Sequence, residues 1–323
     1  MNRREQLLSY LKENMGDWVS GESLARTIGI SRSAVWKHVR KLREEGYGIG
    51  SSRKKGYCLL SISEMLLPRE IALGLDTEVY GRKEIIHYRE TGSTNTKAKE
   101  LAARGAPEGT LVVSEKQTQG RGRKGRIWFS PAGAGIYASL ILRPAMTPGE
   151  APQITFLTAV SAAETLLHLT RLDVRIKWPN DLLVNGKKIA GILTEISTDR
   201  GLLEYAVVGL GINVNTPAFP DEIRQTATSI LVETGERLLR VPLLREYLRR
   251  QETYFRRLKI GGFEPILSRW KELADTIGRR IRVEMPDKIV VGRAEDIDPQ
   301  GVLILRDTEG VSHRIVSGDV TFM

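Results

Sequence analysis

Residues 120–128 run Gly120-Arg121-Gly122-Arg123-Lys124-Gly125-Arg126-Ile127-Trp128, with three glycines and four cations in the first seven positions. A glycine backbone turns tightly and lets another group approach closely, because it lacks a Cβ. Four cations in such a loop need an anion to face, and phosphate or carboxylate is the natural partner. Gly120, Gly122 and Gly125 satisfy G-x-G-x-x-G, yet the residues that follow exclude a dinucleotide-binding fold. That fingerprint opens a helix directly and needs an acidic residue ~20 positions on. Here Trp128-Phe129-Ser130-Pro131 leads instead into a strand-like run, Ile136-Tyr137-Ala138-Ser139-Leu140-Ile141-Leu142. Dinucleotide loops also draw positive charge from a helix N-terminus rather than from four side chains. The P-loop pattern and the kinase H-R-D and D-F-G motifs are absent. The loop reads as the wall of an anionic small-molecule site; the alternative is a solvated basic turn.

A length of 323 residues suggests two domains, or three if some are small. With 41% hydrophobic and 27% charged residues, the composition is that of an ordinary soluble globular protein. The net charge of +10 makes a polyanion or an acidic partner plausible. No apolar run is long enough to span a bilayer, and no signal-peptide core is visible, so no membrane role is expected. Cys58 is the only cysteine, which rules out an intrachain disulfide and fits a cytoplasmic location. His38, His87, His168 and His313 show no metal-ligand spacing, and no metal ligands are assigned.

The first 64 residues carry twelve Lys/Arg against seven Asp/Glu, a net of +5 and half of the chain's excess charge. Leu7, Leu8 and Leu11 share one face of a helix expected over 3–14. Ser20 caps a second helix carrying Leu24, Ala25 and Ile28. After the turn Gly29-Ile30-Ser31, a third helix runs to Gly46, with Val35, Val39 and Leu42 facing inward. Ser33, Trp36, Lys37 and Arg40 fall on another face, a helix-turn-helix pattern with a cationic outer side. Two strand-like arms then flank Arg53-Lys54-Lys55, a basic wing. The expected DNA-contacting set is Ser31, Arg32, Ser33, Trp36, Lys37, Arg40, Arg53, Lys54 and Lys55. Trp36 could instead belong to the core, and Cys58 reads as a buried small apolar residue. The competing reading of this module is dimerisation or autoinhibition.

Residues 65–84 read as a linker, broken at Pro68. Beyond it, Ile85-Ile86-His87-Tyr88 is a strand leading into Thr91-Gly92-Ser93-Thr94-Asn95, which either offers several donors and acceptors to one polar ligand or caps the helix that follows from Thr96. Leu111-Val112-Val113-Ser114 is a strand that delivers Gln117 and the cationic loop. A helix is expected over 152–169. The stretch 175–184 leads to Asn185-Gly186, a type I′ turn signal, and a return strand over 188–195. Trp178 and Pro179 either pack the strand or serve the site; Asp181 caps, pairs with a cation or binds metal. Tyr205 to Asn213 pairs next, with glycines where a ligand could approach. Helical patterns over 242–259 and 263–275 precede four to five short strands, a compact β module. The expected class is α+β.

Five of these segments together resemble the biotin–protein ligase family: Gly120 to Trp128 is similar to its GRGRxGRxW loop, Lys177-Trp178-Pro179-Asn180-Asp181 to its KWPND box, Lys188-Ile189-Ala190-Gly191-Ile192-Leu193 to its K-[IL]-A-G-I-L strand, Gly209-Leu210-Gly211-Ile212-Asn213 to its G-x-G-[IL]-N turn, and Ser93-Thr94-Asn95 to its S-T-N turn. They stand in the family's order and cover the chain together with the winged helix, which points to the bifunctional, DNA-repressing form. The resemblance implies a winged helix-turn-helix domain at 1–64, a class II synthetase-like mixed-sheet catalytic domain at 85–275 and an SH3-like small β-barrel at 276–323. It implies that biotin is activated by ATP with Mg²⁺ and passed to a lysine of a biotin carboxyl carrier protein, and that the adenylate-bound homodimer represses operator DNA.

By the same resemblance, Ser93, Thr94, Asn95, Gln117, Gly120, Arg121, Gly122, Arg123, Lys188, Gly191 and Gly209 hold biotin. Arg123, Arg126, Trp128, Lys177, Asn180, Ile212 and Asn213 lie by ATP or the adenylate, and Lys188, Arg121 and Arg123 are the catalytic cations. The chemistry agrees: carboxylate attack on a phosphate joins two anions, and fixed cations must offset that repulsion. Two other readings compete. A DNA-binding sensor of biotin or a similar acid would not need Lys188 and three loop arginines intact, and a lipoate-type ligase lacks this N-terminal reader and loop.

Overall fold

Each of the first three helices starts at a side-chain cap. In α1 (Arg3–Glu13) Asn2 and Glu5 form a reciprocal capping box, and Leu7, Leu8 and Leu11 are buried. Ser20 caps α2 (Gly21–Ile28), which ends at Gly29 in the left-handed conformation. Ser31 caps α3 (Arg32–Glu44), whose buried residues are Val35, Val39 and Leu42. The arms β1 (Gly48–Ser52) and β2 (Gly56–Ser61) pair antiparallel, and Val19 adds a short third bridge to Tyr57. That bridge explains Gly56: its φ is +96°, and a Cβ there would lie 2.1 Å from the Val19 carbonyl oxygen. Cys58 is buried, as its place in the wing strand suggested.

The computed structural model describes residues 2–323 and divides after Met65 into two compact units. The stretch expected to be a linker, 65–84, belongs largely to the larger unit. It carries α4 (Pro68–Ala72), and Leu66, Ile71, Leu75 and Tyr80 sit in that unit's core. The Pro68 break opens α4 instead, and it masked four apolar anchors.

The larger unit continues through β3 (Ile85–Tyr88), α5 (Thr94–Ala103), β4 (Leu111–Ser114), β5 (Gly135–Leu142), α6 (Ala151–Thr170), β6 (Arg175–Lys177), β7 (Asp181–Val184), β8 (Lys187–Asp199) and β9 (Leu202–Asn213). These strands form one mixed sheet in the order β3-β4-β5-β9-β8-β7-β6, in which only β3 and β4 run parallel. The 175–184 stretch is two strands, not one: β6 turns back onto β7 through Trp178, Pro179 and Asn180. Asn185 and Gly186 both have positive φ, the type I′ geometry expected of that pair. Then come α7 (Ile230–Thr234), α8 (Arg240–Gly261) and α9 (Glu264–Leu273). The chain ends in β10 (Arg280–Glu284), β11 (Ile289–Ile297), β12 (Leu303–Asp307), β13 (Ser312–Ile315) and β14 (Asp319–Phe322), an antiparallel sheet in the order β13-β12-β11-β10-β14.

Strand alternation decides which residues meet a ligand. On β9 the even positions Ala206, Val208, Leu210 and Ile212 join the main core with α6 and α8. The odd positions Tyr205 and Val207 pack with Ala98 and Ala102 of α5 on the other face, which continues through Gly209, Gly211 and Asn213.

Candidate ligand cavity and nucleic-acid interface

A cavity of about 360 Å³ opens on the α5 face of the large sheet. Its floor is made by Gly191 of β8 and Gly211 of β9, which are cross-strand partners. The bare floor admits the Trp128 indole, since a Cβ on Gly211 would lie 2.5 Å from Trp128 Nε1. Among the described residues that Nε1 is buried against the Gly211 floor without a hydrogen-bond partner. Lys188 Nζ stands 5.2 Å from the indole centroid and 2.6 Å from Asp181 Oδ1. The sequence left Asp181 open between capping, pairing and metal ligation; the structure shows it paired.

Part of the cavity wall is uncharged. Gln117 Oε1 accepts from Thr94 N at 2.8 Å and Thr94 Oγ1 at 3.1 Å, and Gln117 Nε2 donates to Ser130 Oγ at 2.9 Å. Ser139 of β5, which sequence reasoning missed, donates to Thr94 Oγ1 and Asn95 Oδ1 at 2.8 and 2.6 Å. Its signal was a serine in a strand of otherwise aliphatic and aromatic residues. α5 begins at Thr94, two residues earlier than expected, and Ser93 holds the cap position without a capping bond from its side chain. Of the two readings of this turn, the structure therefore leaves the Ser93 hydroxyl free of capping.

Elsewhere the wall is cationic. Arg123 donates to Asn180 Oδ1 at 3.2 Å and to the Gly318 carbonyl at 3.5 Å. Arg126 pairs with Asp319, and Lys124 Nζ is 3.1 Å from the same carboxylate. Arg121 lies 3.7 Å from Glu195. Lys177 Nζ rests 5.0 Å from the Phe322 ring centroid. Burial lowers the pKa of Lys177, opposed by the nearby Asp181 carboxylate; burial likewise lowers Arg123, opposed by Asp319 and Asp181. An anion delivered among these groups meets partly desolvated positive charge.

Of the residues expected at biotin or ATP, all but two line this cavity. Gly120 is the neck of the loop instead. Its carbonyl accepts from Trp128 N at 2.9 Å, and a Cβ there would strike the Trp128 carbonyl oxygen at 2.4 Å. Ile212 is fully buried on the opposite face of β9, so its side chain belongs to the core. Two others are present in altered roles. The space over Gly209 is taken by the Asn95 amide, 2.1 Å from where a Cβ would sit. Asn95 itself is committed to Ser139, the Leu193 carbonyl and Glu195. Phe219, Ile223 and Asp319 also line the cavity and were not foreseen. Lys188 N donates to the Thr226 carbonyl at 2.7 Å, which ties that segment to β8.

Behind the cavity sits a buried carboxylate, Glu115. It accepts from Leu66 N at 2.7 Å and Arg240 Nη2 at 2.7 Å, and lies 3.1 Å from His87 Nε2. Burial pushes its pKa up, but the His87 bond and the Arg240 charge outweigh this and hold it below the ordinary glutamate value.

In the smaller unit, Arg32, Ser33, Trp36, Lys37 and Arg40 are exposed along α3, and Arg53, Lys54 and Lys55 are exposed at the wing tip. Trp36 is 53% exposed, which settles the alternative of a core tryptophan. A second concavity, of about 570 Å³, runs between α3 and the wing, lined by Arg32, Ser33, Trp36 and the 51–54 segment. Ser31 has a structural task, because its hydroxyl accepts from Ala34 N at 3.2 Å. Arg43 points inward to the Ile49 carbonyl and braces the wing.

Residues 88–213 match the family model of the biotin/lipoate A/B protein ligase family, residues 3–58 an HTH domain, and residues 276–323 the biotin protein ligase C terminal domain. The chain is 40% identical over 319 residues to the bifunctional ligase/repressor BirA of Bacillus subtilis (strain 168), covering 98% of each. It is 32% identical over 306 residues to the bifunctional ligase/repressor BirA of Escherichia coli (strain K12), covering 95% of this chain and 93% of that protein. The biotin protein ligase from Aquifex aeolicus, solved in complex with biotin and ATP, superposes with a TM-score of 0.65 at 28% identity, covering 75% of this chain and 99% of that one. An uncharged wall and a cationic wall in one cavity, in a sequence that also carries a helix-turn-helix unit, are thus found in a chain that belongs to the bifunctional biotin–protein ligase/repressor family.

Proposed function

We propose that this protein activates biotin with ATP to biotinyl-5′-adenylate, transfers biotin to a specific lysine of a biotin carboxyl carrier protein, and in its adenylate-bound form represses operator DNA as a homodimer. The observation that carries the ligase reading is a single cavity with the Ser93/Thr94/Gln117 set on one part of its wall and Arg123, Arg126, Lys177 and Lys188 on another. The uncharged set suits the ureido ring of biotin, which both donates and accepts hydrogen bonds. Lys188 is a compact charge suited to the biotin carboxylate, and the arginine forks suit phosphate oxygens.

In the first step a carboxylate oxygen bonds to the α-phosphorus and pyrophosphate leaves. Lys188, Arg121 and Arg123 offset the repulsion between the anions and hold them in line. In the second step the carrier's lysine amine attacks the acyl carbon and AMP leaves. No enzyme nucleophile is needed, and Cys58, buried in the other unit, takes no part. The phosphate oxygens of ATP would themselves hold a Mg²⁺ ion. Asp181 and Asp319 are already paired with cations, and no group of three His, Cys, Asp or Glu side chains among the described residues is placed to hold a metal. Mg²⁺ bound to phosphate oxygens would supply further charge neutralisation.

For the DNA role, α3 and the wing present side chains to base edges and phosphates respectively. We assign the reader to residues 1–64 and place the protein in the cytosol. A reducing compartment is consistent with the single buried cysteine, and no described helix is long and apolar enough to cross a membrane. Biotin-dependent exchange of labelled pyrophosphate into ATP tests the first step. Exchange that is absent while biotin still binds would make the protein a DNA-binding sensor.

A further inference from the structure

The cations assigned to phosphate already have an anionic neighbour from the C-terminal sheet. Asp319, the first residue of β14, receives Arg126 and Lys124 on one oxygen, Oδ2. The preceding residue, Gly318, offers its carbonyl to Arg123, and the Glu284 carbonyl of β10 receives Lys124 at 3.4 Å. The Asp319 side chain is one-fifth exposed, so the pairing is only partly screened. Its charge also acts on Arg123 and Lys177. Asp319 lines the same cavity as Arg123, Arg126, Lys177 and Lys188. It does for the loop what a phosphate group would do, with one negative charge in place of two or more.

We propose that Asp319 is an internal anion that nucleotide phosphates must displace from Arg126 and Lys124, and thereby a positioning residue that sets polyphosphate affinity. This rests on the reading that the cationic wall takes ATP. Displacement costs part of the binding energy of ATP. The same competition favours departure of pyrophosphate once the adenylate has formed, because Asp319 recaptures the loop cations. A carboxylate that merely braced the loop would act in the opposite sense, since its loss would scatter the cations and weaken phosphate binding.

The test is calorimetric titration of the full-length protein with inorganic pyrophosphate, at low ionic strength and without metal. Four proteins are compared: native, Asp319→Asn, Asp319→Glu and Asp287→Asn. Asp287 is an exposed acid in the β10–β11 turn of the same sheet and controls for the loss of one charge. The expected result is pyrophosphate binding roughly three- to tenfold tighter in Asp319→Asn, the scale of one partly screened ion pair. Asp319→Glu and Asp287→Asn should stay near native, and the gain should shrink as salt is added. Equal or weaker binding by Asp319→Asn overturns the proposal, as does an equal gain in Asp287→Asn. Asp319→Ser takes the place of the Asn variant if the latter does not fold. Absence of pyrophosphate binding in all proteins also overturns the proposal. Biotin transfer by the native protein, measured separately, shows whether the ligase reading stands in that case.

Discussion

Gly209 and Gly211 are two residues apart on one face of β9, and each is glycine because another side chain occupies its Cβ position. At Gly209 the occupant is the Asn95 amide, and at Gly211 the Trp128 indole. Gly209→Ala should evict Asn95 from its buried bonds to Ser139 and the Leu193 carbonyl, costing about 2 kcal/mol of stability, the scale of leaving buried polar groups unpaired. Urea unfolding measures this, and an unchanged midpoint would contradict the packing described. Glu115 offers a pH test. Its native pKa is lowered, so its stabilisation is present above the ordinary glutamate range and is lost as pH falls through the lowered value. Glu115→Gln should therefore cost about 3 kcal/mol near neutrality, where it leaves Arg240 buried without its carboxylate. The gap between the two proteins should close as the solution is acidified. A gap that is independent of pH would mean that the charge of Glu115 does not matter.

At the scale of elements, the loop from Arg121 to Trp128 is tethered by side chains at Asp319, Asn180, the Gly318 carbonyl and Glu195. Phosphate can replace several of these partners at once. Trypsin cleavage at the loop arginines should slow several-fold when biotin and Mg-ATP are both present, because the closed loop shields the mixed anhydride from water. Equal cleavage rates with and without ligand would contradict closure. Much of this architecture was legible in the sequence. The cap Ser20, the apolar runs of β4 and β5, and the Asn185-Gly186 turn each carry a local signal that tertiary packing did not override. The reversal at Trp178-Pro179-Asn180 was not legible, because β6 and β7 are too short to show separate patterns. Ile212 was misplaced because a motif gives adjacency in sequence, whereas the strand's period of two sends neighbouring side chains to opposite faces. Asp319 and Phe219 reach the cavity from distant segments, and no local pattern announces that. Ser93, Thr94 and Lys188, by contrast, stand in the quoted motifs and do line the cavity.

At the scale of the molecule, one chain joins a DNA-reading unit to a ligand-binding unit. Arg40 lies on the exposed side of α3 and Lys188 in the cavity. Arg40→Ala should weaken operator binding roughly tenfold, the scale of one or two lost charged contacts, and leave biotin transfer at the native rate. Gel-shift and transfer assays on the same preparation check both, and parallel loss of the two activities would contradict separable roles. If repression works through a ligand-ordered dimer, sedimentation should show a larger dimer fraction with biotin and Mg-ATP than without.

The central claim is that the cavity makes biotinyl-adenylate and passes biotin to a carrier. Intact-mass analysis of an apo biotin-carrier domain, incubated with this protein, Mg-ATP and equal amounts of biotin and lipoate, tests it most directly. The account predicts a biotin-sized mass gain at the acceptor lysine that disappears in Lys188→Ala. A lipoate-sized gain, or no gain while biotin remains bound to the protein, would contradict it.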